Sequence, residues 1–223
     1  MRALCLVLLY IQLLLADPLN LIAQHIQEAY EHFYQHYHFH VSRVQVQLAS
    51  GDVARLRAFL APYESNAQAP FSLRPQQFLK KEGLVRVGEA LLKYQVIADM
   101  QVYKTKSALK KDVNLDSHNT YVLSVPFEQF NTMPLDSSYI NNSSTKSFLG
   151  ANTLLSVDKV APKILVYKNE IFSATLISGS ISLETSLQAL QNGSLNQVIE
   201  ALNVESKKRV QVKITGLLKG EVL

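Results

Sequence analysis

Residues 198–216 read VIEALNVESKKRVQVKITG, and the second half of that stretch decides the fold class. Val210, Val212 and Ile214 alternate with Gln211, Lys213 and Thr215. A period of two puts the apolar side chains on one buried face of a strand and the polar ones outward. The same texture runs back through the chain. Segments 84–87, 91–98, 100–104, 121–125, 164–167, 171–177, 181–184 and 198–202 are short, rich in β-branched residues and separated by turns. Many short strands without intervening helices predict a compact, mostly antiparallel sheet or barrel. Residues 136–147, with Ser137, Ser138, Asn141, Asn142, Ser143, Ser144 and Thr145, read as a polar loop.

The N-terminal part has a different period. Asp17 and Pro18 form a helix start: the carboxylate caps free amides, and proline sits where its missing N–H costs nothing. Leu19, Ile22, Ile26, Ala29, Phe33 and Tyr37 then fall on one face, with Gln24, Glu28, Glu31 and Gln35 away from it, which predicts an amphipathic helix of about five turns. From Val41 the period drops to two, with Val44, Val46 and Leu48 alternating with Gln45 and Gln47. A short second helix is expected through Val53, Leu56 and Leu60 before Pro62, followed by a loop over 61–76. The fold class is therefore mainly β with an N-terminal helix (α+β).

Ahead of this stands an export signal. Met1 and Arg2 give a positive start, Ala3 to Leu15 an apolar run, and Ala16 a small residue before Asp17. At about a dozen residues the run is shorter than the roughly 20 that span a bilayer. Cleavage after Ala16 removes Cys5, the sole cysteine, so the remaining chain has no disulfide and must rest on core burial. The expected division is a signal peptide (1–16), a helix–strand module (17–98), and two small β modules (99–160 and 161–223).

Composition narrows the function. Of 223 residues, 48% are hydrophobic and 18% charged, with only 8 Gly and 7 Pro, which excludes disordered and collagen-like chains. The net charge of +4 is spread along the chain. Lys104, Lys106, Lys110 and Lys111, and later Lys207, Lys208 and Arg209, form small clusters without interleaved aromatics, so nucleic acid is not an expected partner. No stable membrane insertion is expected either.

Chemistry-bearing residues are few. Five of the six histidines cluster: His25, His32, His36, His38 and His40. His25, His32 and His36 align on a helix, and His36, His38 and His40 align on an extended chain. The two readings exclude each other at His36, and no carboxylate or cysteine follows at a usual ligand spacing. A periplasmic zinc- or nickel-binding protein remains an alternative resting on this cluster alone. Asp116-Ser117-His118-Asn119 contains the residue types of a hydrolase site. Consecutive residues cannot converge on one reacting atom, so the tetrad reads as a turn. Glu28 and Glu31 lie one helical turn apart on the solvent face. No nucleophile elbow, phosphate loop or zinc-ribbon spacing occurs. The sequence singles out no catalytic, cofactor-binding or metal-ligating residue, and it leaves the partner-binding residues unassigned.

Three stretches carry a resemblance. Residues 107–115, SALKKDVNL, hold an apolar residue, a basic and acidic turn and a new strand. Residues 161–170, APKILVYKNE, hold a proline, an apolar strand and a tight turn. The tail follows with residues 188–197, QALQNGSLNQ, then Asn203 and Ser206, Val210 to Gly216, and Gly220-Glu221-Val222. In order and spacing these resemble the flagellar basal-body P-ring assembly chaperones, periplasmic proteins with an SAF domain of β-clip fold. Lys111, Asn152, Asn169 and Asn196 stand where that family usually has glycine. Asparagine tolerates positive φ, so three of the four substitutions keep the turn and Lys111 does not. A cysteine pair common in the relatives' N-terminal module has no counterpart here. The resemblance implies an SAF-like domain over 99–160, a C-terminal β module over 161–223, no cofactor, no enzymatic activity, and the flagellar P-ring protein as partner. An SAF-bearing pilus assembly factor is the runner-up.

Overall fold

The computed structural model describes residues 17–63, 69–178 and 181–223; the expected signal peptide lies outside them. The fold is mainly β with an N-terminal helix. It divides into two compact units, one of residues 17–102 and 123–133, the other of 103–122 and 134–223.

The first unit opens with α1 (Pro18–Phe33), whose cap is the expected one: the Leu19 N–H donates to Asp17 Oδ1 at 3.0 Å. The helix stops short of Tyr37. Residues 34–38 form a turn in which His38 takes φ +46°, redirecting the chain into β1 (His40–Ser50). The short second helix is present as α2 (Val53–Leu60), capped by Asp52, with Leu56 and Leu60 buried. β2 (Glu82–Val87), β3 (Ala90–Thr105) and β4 (Thr120–Pro126) follow; the sheet runs β1-β3-β2, with β4 also paired to β3. The segments expected as two strands, 91–98 and 100–104, are one. Asp99 falls on the solvent side of an unbroken alternation in which Leu92, Tyr94, Val96, Ala98, Met100 and Val102 are buried, so its charge never interrupts the strand.

Aromatic rings fill this unit's core. Tyr30 and Tyr34 are fully buried, and Phe39, Phe78 and Phe127 pack on them with ring centroids 4.7 to 6.4 Å apart. Phe127 reaches them from sequence far beyond β3.

The second unit has two cores. The first gathers Leu109, Leu115, Leu135, Leu149, Leu155 and Val160. Beside it β5 (Ser143–Thr145) pairs with β6 (Val160–Pro162). This corrects the polar-loop reading of 136–147: Ser143, Ser144 and Thr145 are all buried. Their hydroxyls are satisfied by main-chain carbonyls, Ser143 Oγ donating to Tyr139, Ser144 Oγ to Pro162 and Thr145 Oγ1 to Lys110. Hydroxyls so paired can be buried without the usual desolvation cost.

The second core lies in a closed barrel of β8 (Ile171–Ser178), β9 (Ile181–Ala189), β11 (Val198–Asn203), β12 (Arg209–Gly216) and β13 (Lys219–Val222), in the order β11-β12-β13-β8-β9. β7 (Ile164–Val166) and β10 (Gly193–Ser194) pair alongside. All barrel pairs are antiparallel except β13 with β8. Val212 and Ile214 are fully buried in β12, with Gln211 and Thr215 outward, as the alternation predicts. β12 is not the last strand. β13 was hidden by its shortness and by Gly220, which the packing requires: a Cβ there would lie 2.5 Å from Val212 Cγ1.

Asn152, Asn169 and Asn196 adopt φ of +58°, +72° and +63°, the left-handed conformation expected of glycine replacements. At the fourth position the strain sits one residue later. Asp112, not Lys111, has φ +65°, and its N–H donates to the Thr145 carbonyl at 2.9 Å.

Candidate functional site

The histidines separate. His25 is buried, edge-on to Phe71, with Nδ1 3.5 Å from Glu28 Oε2, while His32, His36, His38 and His40 are exposed. The chain turns at 34–38 and extends only from His40, so neither alignment brings three rings together. Among the described residues no three His, Cys, Asp or Glu side chains are grouped to hold a metal ion.

Asp116-Ser117-His118-Asn119 is a turn. Asp116 Oδ1 accepts from the His118 N–H at 2.8 Å and the Asn119 N–H at 3.0 Å, so its carboxylate serves the backbone. Lys106 Nζ donates to the Ser117 carbonyl at 2.6 Å, and Arg209 faces Glu200 at 3.6 Å.

In the first unit the turn before β2 is held by phenols. Tyr30 Oη shares its one proton between the carbonyls of Gln77 (2.9 Å) and Lys80 (2.8 Å), and Tyr34 Oη donates to that of Phe78 (2.5 Å). Burial pushes both phenols well above their ordinary value, so they remain donors. The turn and β2 enclose a cleft of about 780 Å³ lined by Arg74, Gln77, Lys80, Leu84 and Arg86. Gln77 Nε2 donates to the Leu84 carbonyl at 2.9 Å, occupying part of the β2 edge. A second cleft, about 560 Å³, lies between Phe59 of α2 and the Gly88–Glu89 turn, and Arg55 spans to Glu89 at 3.2 Å.

In the second unit the distal half of the β8–β9 ribbon carries exposed apolar side chains on paired strands. Ile177 and Leu183 are 59% and 58% exposed, and Leu176, the cross-strand partner of Leu183, is 39% exposed. Leu176 and Leu183 are neighbours on one face of the ribbon, and Ile177 lies on the other. Sequence reasoning assigned these residues to strands; which of them the barrel would leave uncovered depends on the length of its neighbours, which no local pattern encodes.

The sequence from residue 100 to residue 222, more than half of the chain, matches the family described as chaperone for flagella basal body P-ring formation. The chain belongs to this family. Its matched stretch includes both cores of the second unit. No curated protein matches the sequence. Among solved structures, that of Salmonella FlgA in open form is 15% identical, aligned over 90% of this chain and 92% of that one, with a TM-score of 0.62. Flagellar protein FlgA from Thermotoga maritima is 14% identical over 90% of this chain and 70% of that one, with a TM-score of 0.49. The first of these shares the fold. Its coverage exceeds the family-matched stretch, so the likeness reaches into the helix-bearing unit. Family members are chaperones of a protein assembly, which makes the partner a protein of the flagellar basal body.

Proposed function

We propose that this protein works in the periplasm as a chaperone without enzymatic activity, binding the P-ring subunit and assisting its assembly around the flagellar rod. The family match over residues 100–222 carries this reading. The N-terminal Met1-Arg2, apolar run and Ala16 support export, and no described helix is long and apolar enough to cross a membrane. A ring subunit before assembly exposes unpaired strand edges and apolar patches, and a protein of short strands can shield them by strand pairing or by covering a surface. On this reading residues 99–160 act as an SAF-like domain, 161–223 as a C-terminal β module and 17–98 as a helix–strand module. Deletion of the gene is expected to leave basal bodies with rods and inner rings but few P-rings, and cells with little motility. Pull-down of the P-ring subunit from periplasm by the full chain tests the contact. Normal P-rings in the deletion strain would sink the reading.

A further inference from the structure

The barrel's closed hydrogen-bond circuit does not extend to the end of its longest hairpin. β13 pairs with β8 at Ser173, Ala174 and Thr175, and β11 pairs with β9 at Leu187, Gln188 and Ala189. Beyond those residues β8 and β9 continue as a pair, Leu176 opposite Leu183 and Ile177 opposite Ser182.

The direction of the main-chain groups on β9 follows from its existing bonds. Ala189 donates its N–H to Glu170 and accepts from Asn169 with its carbonyl, so this residue and its alternates point toward β8. Leu190 donates to the Glu200 carbonyl at 3.0 Å and Ser186 accepts from the Val204 N–H at 3.3 Å, so the other set points toward β11. Glu184 and Ser182 belong to that outward set. Past Val204, among the described residues, no strand runs beside them. An edge with its N–H and C=O groups free is a template for another strand.

Side chains add to the main-chain signal. Phe172 and Ala174 on β8, and Leu187 and Ala189 on β9, point into the barrel core. Alternation continues that face outward to Leu176 and Leu183. The core face therefore continues past Thr185 to Leu176 and Leu183, which are in solvent. From Ile171 to Ala189 the ribbon carries a single charge, Glu184, which accepts a hydrogen bond from Ser173 Oγ. A charge laid on the leucine pair would be desolvated without a partner.

We propose that the β9 edge at Ser182 and Glu184, with Leu176 and Leu183 beside it, is a strand-addition site that receives an extended, uncharged, apolar segment of the P-ring subunit. The identity of the partner rests on the function proposed above; the site and the chemistry of its occupant rest on the ribbon. The occupant adds main-chain bonds at Ser182 and Glu184 and places alternate side chains on the leucine pair, the mode in which edge hydrogen bonds give affinity and alternate side chains give specificity. A second copy of this chain is the rival occupant. Antiparallel self-pairing centred on Leu183 would put two Glu184 carboxylates on one face, which like-charge repulsion disfavours.

The test uses the full chain and purified P-ring subunit from the same organism. Leu176→Lys with Leu183→Lys charges the strip at side chains already in solvent. Ser182→Pro with Glu184→Pro removes the outward N–H groups while leaving those that face β8, since proline is tolerated where the N–H points away from the ladder. Either pair is expected to weaken binding at least about tenfold, with circular dichroism and urea midpoint near those of the parent. The lysine pair is decisive if the proline pair misfolds. A photo-crosslinker at Ser182 is expected to capture the P-ring subunit, and one at Thr215 is not. Parent-level binding by a folded lysine pair overturns the site and leaves the chaperone reading standing. Failure of the parent to bind overturns both. A dimer of the parent that the lysine pair abolishes, with P-ring binding unchanged, makes the edge a self-association seam and overturns the proposal.

Discussion

Asn114 and Ile164 hold each other in both directions: Asn114 Nδ2 donates to the Ile164 carbonyl at 2.9 Å, and the Ile164 N–H donates to Asn114 Oδ1 at 2.9 Å. An amide side chain thus takes the place of a strand's main chain just where β7 begins. The Asn114 carbonyl accepts in turn from Asn119 Nδ2 at 2.8 Å, tying the Asp116 turn to the same point. Asn114→Ala leaves two part-buried groups of Ile164 unpaired and is expected to lower stability by about 1–3 kcal/mol. Urea unfolding should show a lower midpoint with an unchanged slope; an unshifted midpoint would mean water replaces the clasp at no cost.

Alkaline pH should weaken the first unit. The Tyr30 and Tyr34 phenols are raised by burial, whereas in the unfolded chain they ionise near pH 10. Above that pH the folded state keeps protons that the unfolded state has lost, so stability falls as pH rises and is unaffected below it. Tyr34→Phe removes one such proton and the bond to the Phe78 carbonyl. It should lower stability at neutral pH by about 1 kcal/mol and make the decline between pH 10 and 12 shallower. Equal slopes for parent and variant would contradict the assignment.

The left-handed positions can be ranked. Asn196→Gly should be neutral or mildly stabilising, and Asn196→Val should cost about 1–2 kcal/mol, because the φ of +63° crowds a branched side chain. At the first turn, Asp112→Gly should be tolerated while Lys111→Gly gains nothing from relief of positive φ. Thermal unfolding of the four variants separates these outcomes, and a stabilising Lys111→Gly would place the strain at the wrong residue.

Within the barrel, Val212→Asp buries a charge at a fully enclosed site and should cost about 3–5 kcal/mol, enough to unfold the unit. Lys213→Asp should keep the fold. Lys213 lies opposite Glu221, so the variant creates a like-charge pair worth about 0.2–1 kcal/mol of destabilisation. A folded Val212→Asp, judged by circular dichroism, would refute the packing.

Gly220→Ala tests a close approach between strands of the barrel. The added methyl meets Val212 Cγ1 at 2.5 Å and Phe172 Cε2 at 3.1 Å, and it should cost about 1–3 kcal/mol as the core shifts to admit it. Stability equal to the parent's would show that this core yields freely.

Legibility in the sequence tracked the range of the interactions. Asp17 and Pro18 at the start of α1, the alternation through β3 and β12, and the asparagines in place of glycine are local signals, and each is realised in the structure. What stayed hidden was set by distant partners. Ser143, Ser144 and Thr145 look like loop residues until Tyr139, Pro162 and Lys110 supply carbonyls for their hydroxyls. Phe127 joins the Tyr30–Tyr34 core only because the chain returns to the first unit after Val122. The exposed Leu176–Leu183 pair was unreadable for the same reason: its alternation marks a buried face, and only the shortness of β11 and β13 uncovers it.

The parallel pairing of β13 with β8 also sets an order of events in time. Lys219, Gly220 and Glu221 must find Ser173, Ala174 and Thr175 across the whole of β9 to β12. Non-local pairing of this kind delays folding, because the entropy of closing the long segment is lost before any contact compensates it. A chain emerging N-terminus first can pair β9 with β11 early, but the edge of β8 stays open until β13 arrives. Until that moment the barrel is open beside Phe172, and the unit depends on rapid completion to escape aggregation.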